Sequence, residues 1–344
     1  MATAATHQAG AGLDRLRGQL DKAGFTALLL TSPGGRRYVL GAAPGHADAT
    51  AVLLTTDGTV ATAVGDLSAA VDAVLRAAGV GDGVVGAEAG LPWEVFGQAG
   101  GSGVRLRPAA DLVFAELACC EPDELPAFAA AAEVAAVGYT AVMDHLHVGM
   151  DVRELSGNVD RSIRRAGGLL GWYDPYGAAG AAGSDLVTVR GHDPGTARLT
   201  ATTPLRYVLH PLLNGVAGYA AATAVLSRAD GPLRTAGDAC AAATAALLAA
   251  LRPGAPLREG CAAFERETGE HPAACRIVGL RGGGASPPLP PDSAVIAEPG
   301  MVLGVRTEVP VPGRGAVELA ETVVVTASGA EPRAGTPLRL VELY

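Results

Sequence analysis

The sequence predicts a mixed α/β protein in two domains, and three patterns carry that reading. Over residues 301–326, MVLGVRTEVPVPGRGAVELAETVVVT, apolar and polar residues alternate on either side of the Pro/Gly-rich PVPGRG, as in two strands joined by a tight turn. Over residues 13–118, short helical and strand patterns follow one another, as in a small α/β unit. Beyond residue 119, two pairs of helical patterns alternate with strand-rich stretches. The predicted divisions are 1–12 without structure, 13–118 as the α/β domain and 119–344 as the larger domain.

Taken in order, LDRLRGQLDKA (13–23) spaces its leucines helically and stops at Gly24. TALLLTS reads as a buried strand, and PGGRRYVLG as the loop after it. Strands are predicted at 51–55 and 59–64 around the turn Thr56-Asp57-Gly58. A helix at 66–78, the strand GVVGAEA, a short helix at 92–98 and a strand at 104–108 complete the first domain. The second opens near CCEPDE (119–124) and continues into a long helix at 125–147. Asp151 is placed to cap the next helix, with Glu154 completing a capping box and a Gly pair at its end. Helices at 235–251 and 256–269, joined through LRPGAPLREG, form the second pair.

Composition narrows the function classes. A net charge of −9 and the lack of any basic cluster argue against nucleic acid as a partner. No apolar run is long and charge-free enough to read as a membrane span, and the Ala-rich stretch at 237–251 carries Asp238 and ends at Arg-Pro-Gly. No secretory signal is evident, so the expected location is cytoplasmic. The five cysteines are scattered without a CxxC spacing, which predicts reduced thiols and no structural zinc.

Glu298-Pro299-Gly300 and the hairpin after it run close to the string EPGMVFTIEPG…GVRIEDTVLVT. In this the chain resembles the creatinase/aminopeptidase, or pita-bread, superfamily, which includes methionine aminopeptidases, Xaa-Pro peptidases and creatinases. TSPGGRRYVLG resembles the opening of that superfamily's N-terminal domain, and CCEPDE the KSPxE before its catalytic domain. LRPGAPLREG resembles its second PG…E helix pair, so the likeness spans almost the whole chain. It implies a creatinase-like α/β domain followed by a domain with a curved antiparallel sheet and two helix pairs. It also implies a homodimer, in which the loop at Arg36-Arg37-Tyr38 can reach a neighbouring subunit's site.

Members of the superfamily hold two divalent ions with two Asp, one His and two Glu. Here the resemblance puts Arg306 and Ala320 at the two Glu positions and Arg276 at the His. In YVLHPLLNGVAGYAAAT it puts Ala222 at the second Asp and Leu209 or Pro211 at the first. None of these can ligate, so the expectation is no metal and no cofactor. Two of them are guanidiniums, whose charge repels a cation.

The candidate site residues follow from what is left. His192 matches the position of a histidine that creatinases use as acid/base; the alternative is a loop histidine bonding its own turn, GHDPG. His210 stands beside the lost first Asp, either in the site or as a core histidine. Arg276 and Arg306 are placed to clamp a carboxylate or phosphate, or else to pair with nearby glutamates. Glu308 and Glu318 lie two residues from lost ligand positions, hence on the same strand face; Glu321 faces the other way. Tyr173 and Asp174 in GWYDPYG are candidates for the substrate loop, and Tyr219 for a contact beside the ligand hairpin.

Two functions are compatible with these residues. One is a metal-independent enzyme acting on a small anionic amide- or guanidino-like substrate, by C–N hydrolysis or a related elimination or cyclisation. The other is a non-catalytic pseudopeptidase that binds a ligand or serves as a scaffold.

Overall fold

The computed structural model describes residues 2–6, 11–41, 49–92, 95–97, 103–170, 187–189, 198–202, 204–269, 271, 273–281 and 287–344. The chain forms two compact units, 1–117 together with 281–290, and 118–280 together with 291–344. The first unit therefore takes in a short segment from deep in the second half of the sequence. Sequence reading placed that segment in the second domain.

In the first unit, β1 (Ala2–Thr6), α1 (Ala11–Lys22), β2 (Ala27–Leu30) and α2 (Pro33–Leu40) are followed by the hairpin β3 (Ala51–Thr55) and β4 (Thr59–Ala63). After it come α3 (Leu67–Ala78), β5 (Val84–Ala87), β6 (Arg105–Pro108) and α4 (Ala110–Ala118). The six strands form one sheet in the order β1-β4-β3-β2-β5-β6. Strand alternation splits its core in two. Leu28, Leu30, Val52 and Leu54 pack with Leu16, Leu20, Val39 and Val113 from α1, α2 and α4, whereas Leu29, Leu53 and Ala61 pack with Val71 and Val74 of α3.

Two expectations are corrected here. Residues 1–12 were expected to lack structure, but Ala2–Thr6 pair antiparallel with Thr59–Ala63 along the sheet edge. PGGRRYVLG is a helix and not a loop: the Ser32 hydroxyl accepts from Gly35 N–H, and Pro33 sits in the first turn, where its missing N–H costs nothing.

The second unit is built on an eight-stranded sheet. Its strands are β8 (Val187–Val189), β9 (Leu205–Leu209), β12 (Ala220–Val225), β13 (Ala274–Gly279), β14 (Val302–Val311), β15 (Gly315–Thr326), β16 (Gly329–Pro332) and β17 (Val341–Glu342). The order is β13-β14-β15-β12-β9-β8, with β16 on β15 and β17 on β12. A smaller sheet joins β7 (Leu169–Leu170), β10 (Pro211–Leu213) and β11 (Val216–Ala217). The hairpin at 301–326 is thus in the body of the sheet, paired without a break from Val302↔Val324 to Val311↔Gly315.

Two helix pairs complete this unit: α5 (Leu125–His145) with α6 (Val152–Arg165), and α7 (Gly231–Ala250) with α8 (Arg258–Thr268). Helix α5 is long and apolar enough to cross a membrane by composition, but half of that stretch is buried in this fold. Helix α7 begins earlier than its periodicity predicts, because Asp230 accepts from Leu233 N–H and Pro232 occupies the first turn. Both pairs cover one face of the sheet. Tyr139 of α5 meets Tyr207 with ring centroids 5.8 Å apart, and Thr244 of α7 hydrogen-bonds Thr307 at 2.7 Å. Residues one step along each strand, among them Arg206, Val208 and Arg306, therefore project from the opposite face.

Candidate functional site

Five residues form one continuous row across that opposite face. Arg276 is the partner of Arg306, Arg306 of Ala320, Ala320 of Ala221, and Ala221 of Val208. Cross-strand partners share a face, so these five side chains project to the same side. The row contains the three positions that sequence comparison assigned with least gapping, Arg276, Arg306 and Ala320. The other two expected positions fall outside it. Ala222 pairs with Tyr207 and Leu209 with Ala220, which turns both toward the helices, and Pro211 lies in the smaller sheet. The two remaining positions of the row belong to Ala221 and Val208.

This row does not fit a pair of divalent ions. Valine and alanine offer no lone pair, and a guanidinium only donates. Among the described residues, no group of three or more His, Cys, Asp or Glu side chains is placed to share a metal ion.

What surrounds the row divides into two halves. On one side lies an apolar cluster in which Val208, Ala221 and Ala320 pack with Tyr219, Val278, Leu280, Val302 and Val324. Gly304 permits that closure, since a Cβ there would stand 2.9 Å from Val278 Cγ2 and 3.2 Å from the Tyr219 ring. On the other side lies a buried ion network. The Glu318 carboxylate, with no exposed surface, is ion-paired through Oε1 with Arg306 Nε and through Oε2 with an Arg206 terminal nitrogen 3.1 Å away. The same Arg206 nitrogen lies 3.7 Å from Glu308 Oε2. Burial pushes the Glu318 carboxyl upward, and the charges of Arg306 and Arg206 oppose that shift.

Two threonines hold the strands where this network sits. The β12–β15 ladder is only two residue pairs long, Ala220↔Glu321 and Ala221↔Ala320. Beyond one end the Thr223 hydroxyl accepts from Glu318 N–H at 2.9 Å; beyond the other, the Thr322 hydroxyl accepts from Tyr219 N–H at 2.8 Å. Side chains thus satisfy backbone donors that a longer ladder would have paired.

Of the sequence candidates, Arg306, Glu308 and Glu318 are brought together, with Arg306 already engaged by Glu318. His210 is buried edge-on against Tyr219, with ring centroids 4.2 Å apart. Arg276 is different. It lies half-buried on the edge strand β13, and among the described residues it makes no ion pair. Tyr173, Asp174 and His192 lie outside the described residues. Sequence reading missed Arg206, 2 % exposed and the second cation of the network. Its signal was there: one charge in the apolar strand LRYVL, two residues before Val208 on the same face.

Glu321 faces the helices, as alternation predicts. Its carboxylate accepts from the backbone of Thr322, Ala334 and Thr336 and from the Thr336 hydroxyl. Burial nevertheless pushes its pKa upward against those bonds. A carboxyl with a raised folded-state pKa binds its proton more tightly when folded. Its contribution to stability is full below the ordinary Glu value of about 4.3 and is lost as pH rises through the raised value. Glu321→Gln, which cannot titrate, should therefore gain stability relative to the parent as pH rises from about 4.5 to 7. Melting temperatures of both proteins across that range test this; parallel curves would contradict it.

The sequence profile of metallopeptidase family M24 matches residues 127–327, more than half of the chain. No curated protein matches the chain by sequence. Among solved structures, the prolidase of Pyrococcus horikoshii OT3 superposes with a TM-score of 0.69 at 15 % identity, over 95 % of this chain and 99 % of that one. The dipeptidase PepE of Mycobacterium ulcerans gives 0.73 at 16 %, over 96 % and 97 %. The Xaa-Pro dipeptidase of Bacillus anthracis gives 0.66 at 18 %, over 96 % and 99 %. At such identities the likeness speaks for the fold, and the profile speaks for descent: the chain belongs to metallopeptidase family M24, on the pita-bread fold that its sequence motifs predict.

Proposed function

We propose that this protein works without metal and binds a small anion bearing an amide or guanidino group, with Arg276 as the anchor. The observation that carries the reading is the uneven neutralisation of the arginines. Glu318 and Glu308 face Arg206 and Arg306, two negative charges against two positive, while Arg276 makes no ion pair among the described residues. A half-buried guanidinium beside an already neutral network is suited to a carboxylate, which it can grip with two parallel hydrogen bonds. Catalysis, in this reading, is C–N bond hydrolysis or a related elimination or cyclisation, with the proton moved by His192 or His210.

A second reading is favoured by one observation, the apolar packing of Ala320, Ala221 and Val208, three of the row's five residues. In that reading the protein binds its ligand and performs no chemistry on it.

One experiment separates these. Chelator-dialysed protein, checked by elemental analysis, is titrated with N-acetylglycine and guanidinoacetate while C–N cleavage is followed. Binding with turnover supports the enzyme, and binding alone supports the second reading. Arg276→Ala should weaken binding roughly tenfold or more, the worth of a charge-assisted hydrogen bond. Among histidine variants, His192→Gln or His210→Gln should abolish turnover and leave binding intact. Activity that appears only on adding Mn²⁺ or Co²⁺ would overturn the metal-free reading.

A further inference from the structure

We propose that Cys261 and Cys275 form a redox latch that sets the position of Arg276. The expectation of five reduced thiols is corrected at these two residues. Cys261 on α8 and Cys275 on β13, 14 positions apart in sequence, are joined as a disulfide with their Cα atoms 5.8 Å apart. Cys275 immediately precedes Arg276, and alternation turns the two to opposite faces: the cysteine toward the helix, the arginine into the row. The disulfide therefore pins, from behind, the residue pair that presents the guanidinium.

Its position on the sheet makes that pin consequential. Among the described residues β13 is an edge strand, hydrogen-bonded only to β14, and its pairing begins at Ala274↔Glu308, one residue before Cys275. With the disulfide formed, the start of the strand is held by β14 on one side and by a covalent link to α8. With the disulfide reduced, the ladder to β14 and packing alone remain, and the ends of edge strands open readily. Both cysteines are half-buried, within reach of a small thiol, unlike Cys240 in the core. A dithiol supplies two electrons and two protons, the Sγ–Sγ bond breaks, two thiols form here, and the dithiol leaves as its own disulfide. In reducing compartments, disulfides that do form are more often regulatory than structural.

The proposal rests on the reading of Arg276 as an anion anchor, and the test keeps the two apart. The full chain is prepared oxidised with glutathione disulfide and, separately, reduced with dithiothreitol. Non-reducing peptide mapping reports the bond, amide exchange reports β13, and titration with N-acetylglycine reports the anchor. Reduction should speed exchange across β13 and weaken binding about fivefold or more, the lower end of ordinary coupling between sites. Cys261→Ser and Cys275→Ser should behave like the reduced protein and ignore dithiothreitol. Identical exchange and affinity in the two states, or no bond after oxidation, would overturn the latch. Absence of binding in both states would overturn the anion anchor, and the exchange of β13 would then decide the latch alone.

Discussion

Glu318→Ala should cost about 3–5 kcal/mol of folding stability, the usual consequence of removing one partner from a buried ion network. The side chain has no exposed surface, and its two oxygens face Arg306 and Arg206, themselves 5 % and 2 % exposed. Without it, Arg306 and Arg206 both lose the Glu318 carboxylate, and Glu308 stands 3.7 Å from Arg206. Two guanidiniums would then share a dehydrated space with too little countercharge, and neither can shed its proton. Glu318→Gln should be nearly as damaging, because it restores the volume and not the charge. The informative comparison is the triple variant Arg206→Met, Glu318→Leu, Arg306→Met. Removing a buried network whole relieves its desolvation penalty, so this variant should fall within about 1 kcal/mol of the parent or exceed it. Urea unfolding with comparison of midpoints at constant slope measures all three. A triple variant as unstable as Glu318→Ala would mean that the network is needed to specify the sheet itself.

The network also shows how far sequence reading reaches. The hairpin at 301–326 was legible because two long alternating strands and one turn leave a single register, and alternation alone placed Glu308 and Glu318 on the face of Arg306. The partner hairpin was not. In LRYVLHPLLNGVAGYAAATAV the run of alanines carries no pattern, and one step along the strand exchanges Ala221, in the row, for Ala222, on the other face. Arg206 carries a signal of its own, because a lone charge in an apolar strand asks for a buried partner. The α2 helix is hidden in the sequence by the glycine pair Gly34-Gly35, although Ser32 and Pro33 mark its start. The Cys261–Cys275 pair has no spacing motif; only the packing of α8 on β13 brings the two together.

Gly218→Ala should cost about 3 kcal/mol or more, at or beyond the upper end of ordinary overpacking. A Cβ at this position would stand 2.1 Å from the carbonyl oxygen of Ala131 and 2.8 Å from its carbon. The obstacle is backbone. Ala131 lies inside α5, where its carbonyl accepts from the next turn of the helix, so it cannot swing aside without breaking that bond. Gly218 cannot retreat either, because its own N–H donates to Pro211 O at 2.9 Å and closes the β10–β11 hairpin. The strain must push the hairpin away from α5, and the next residue is Tyr219, which packs on His210 and over Gly304. The substitution should therefore loosen the apolar half of the site as well as lower stability. Gly157→Ala is the matched control. It lies in the interior of α6 with open space where its Cβ would go, and relief from glycine's helix penalty should stabilise the chain by up to about 1 kcal/mol. Opposite signs for these two alanines, read by thermal unfolding, would tie the loss at Gly218 to its contact with α5, whereas a neutral Gly218→Ala would show that α5 and the hairpin do not approach this closely.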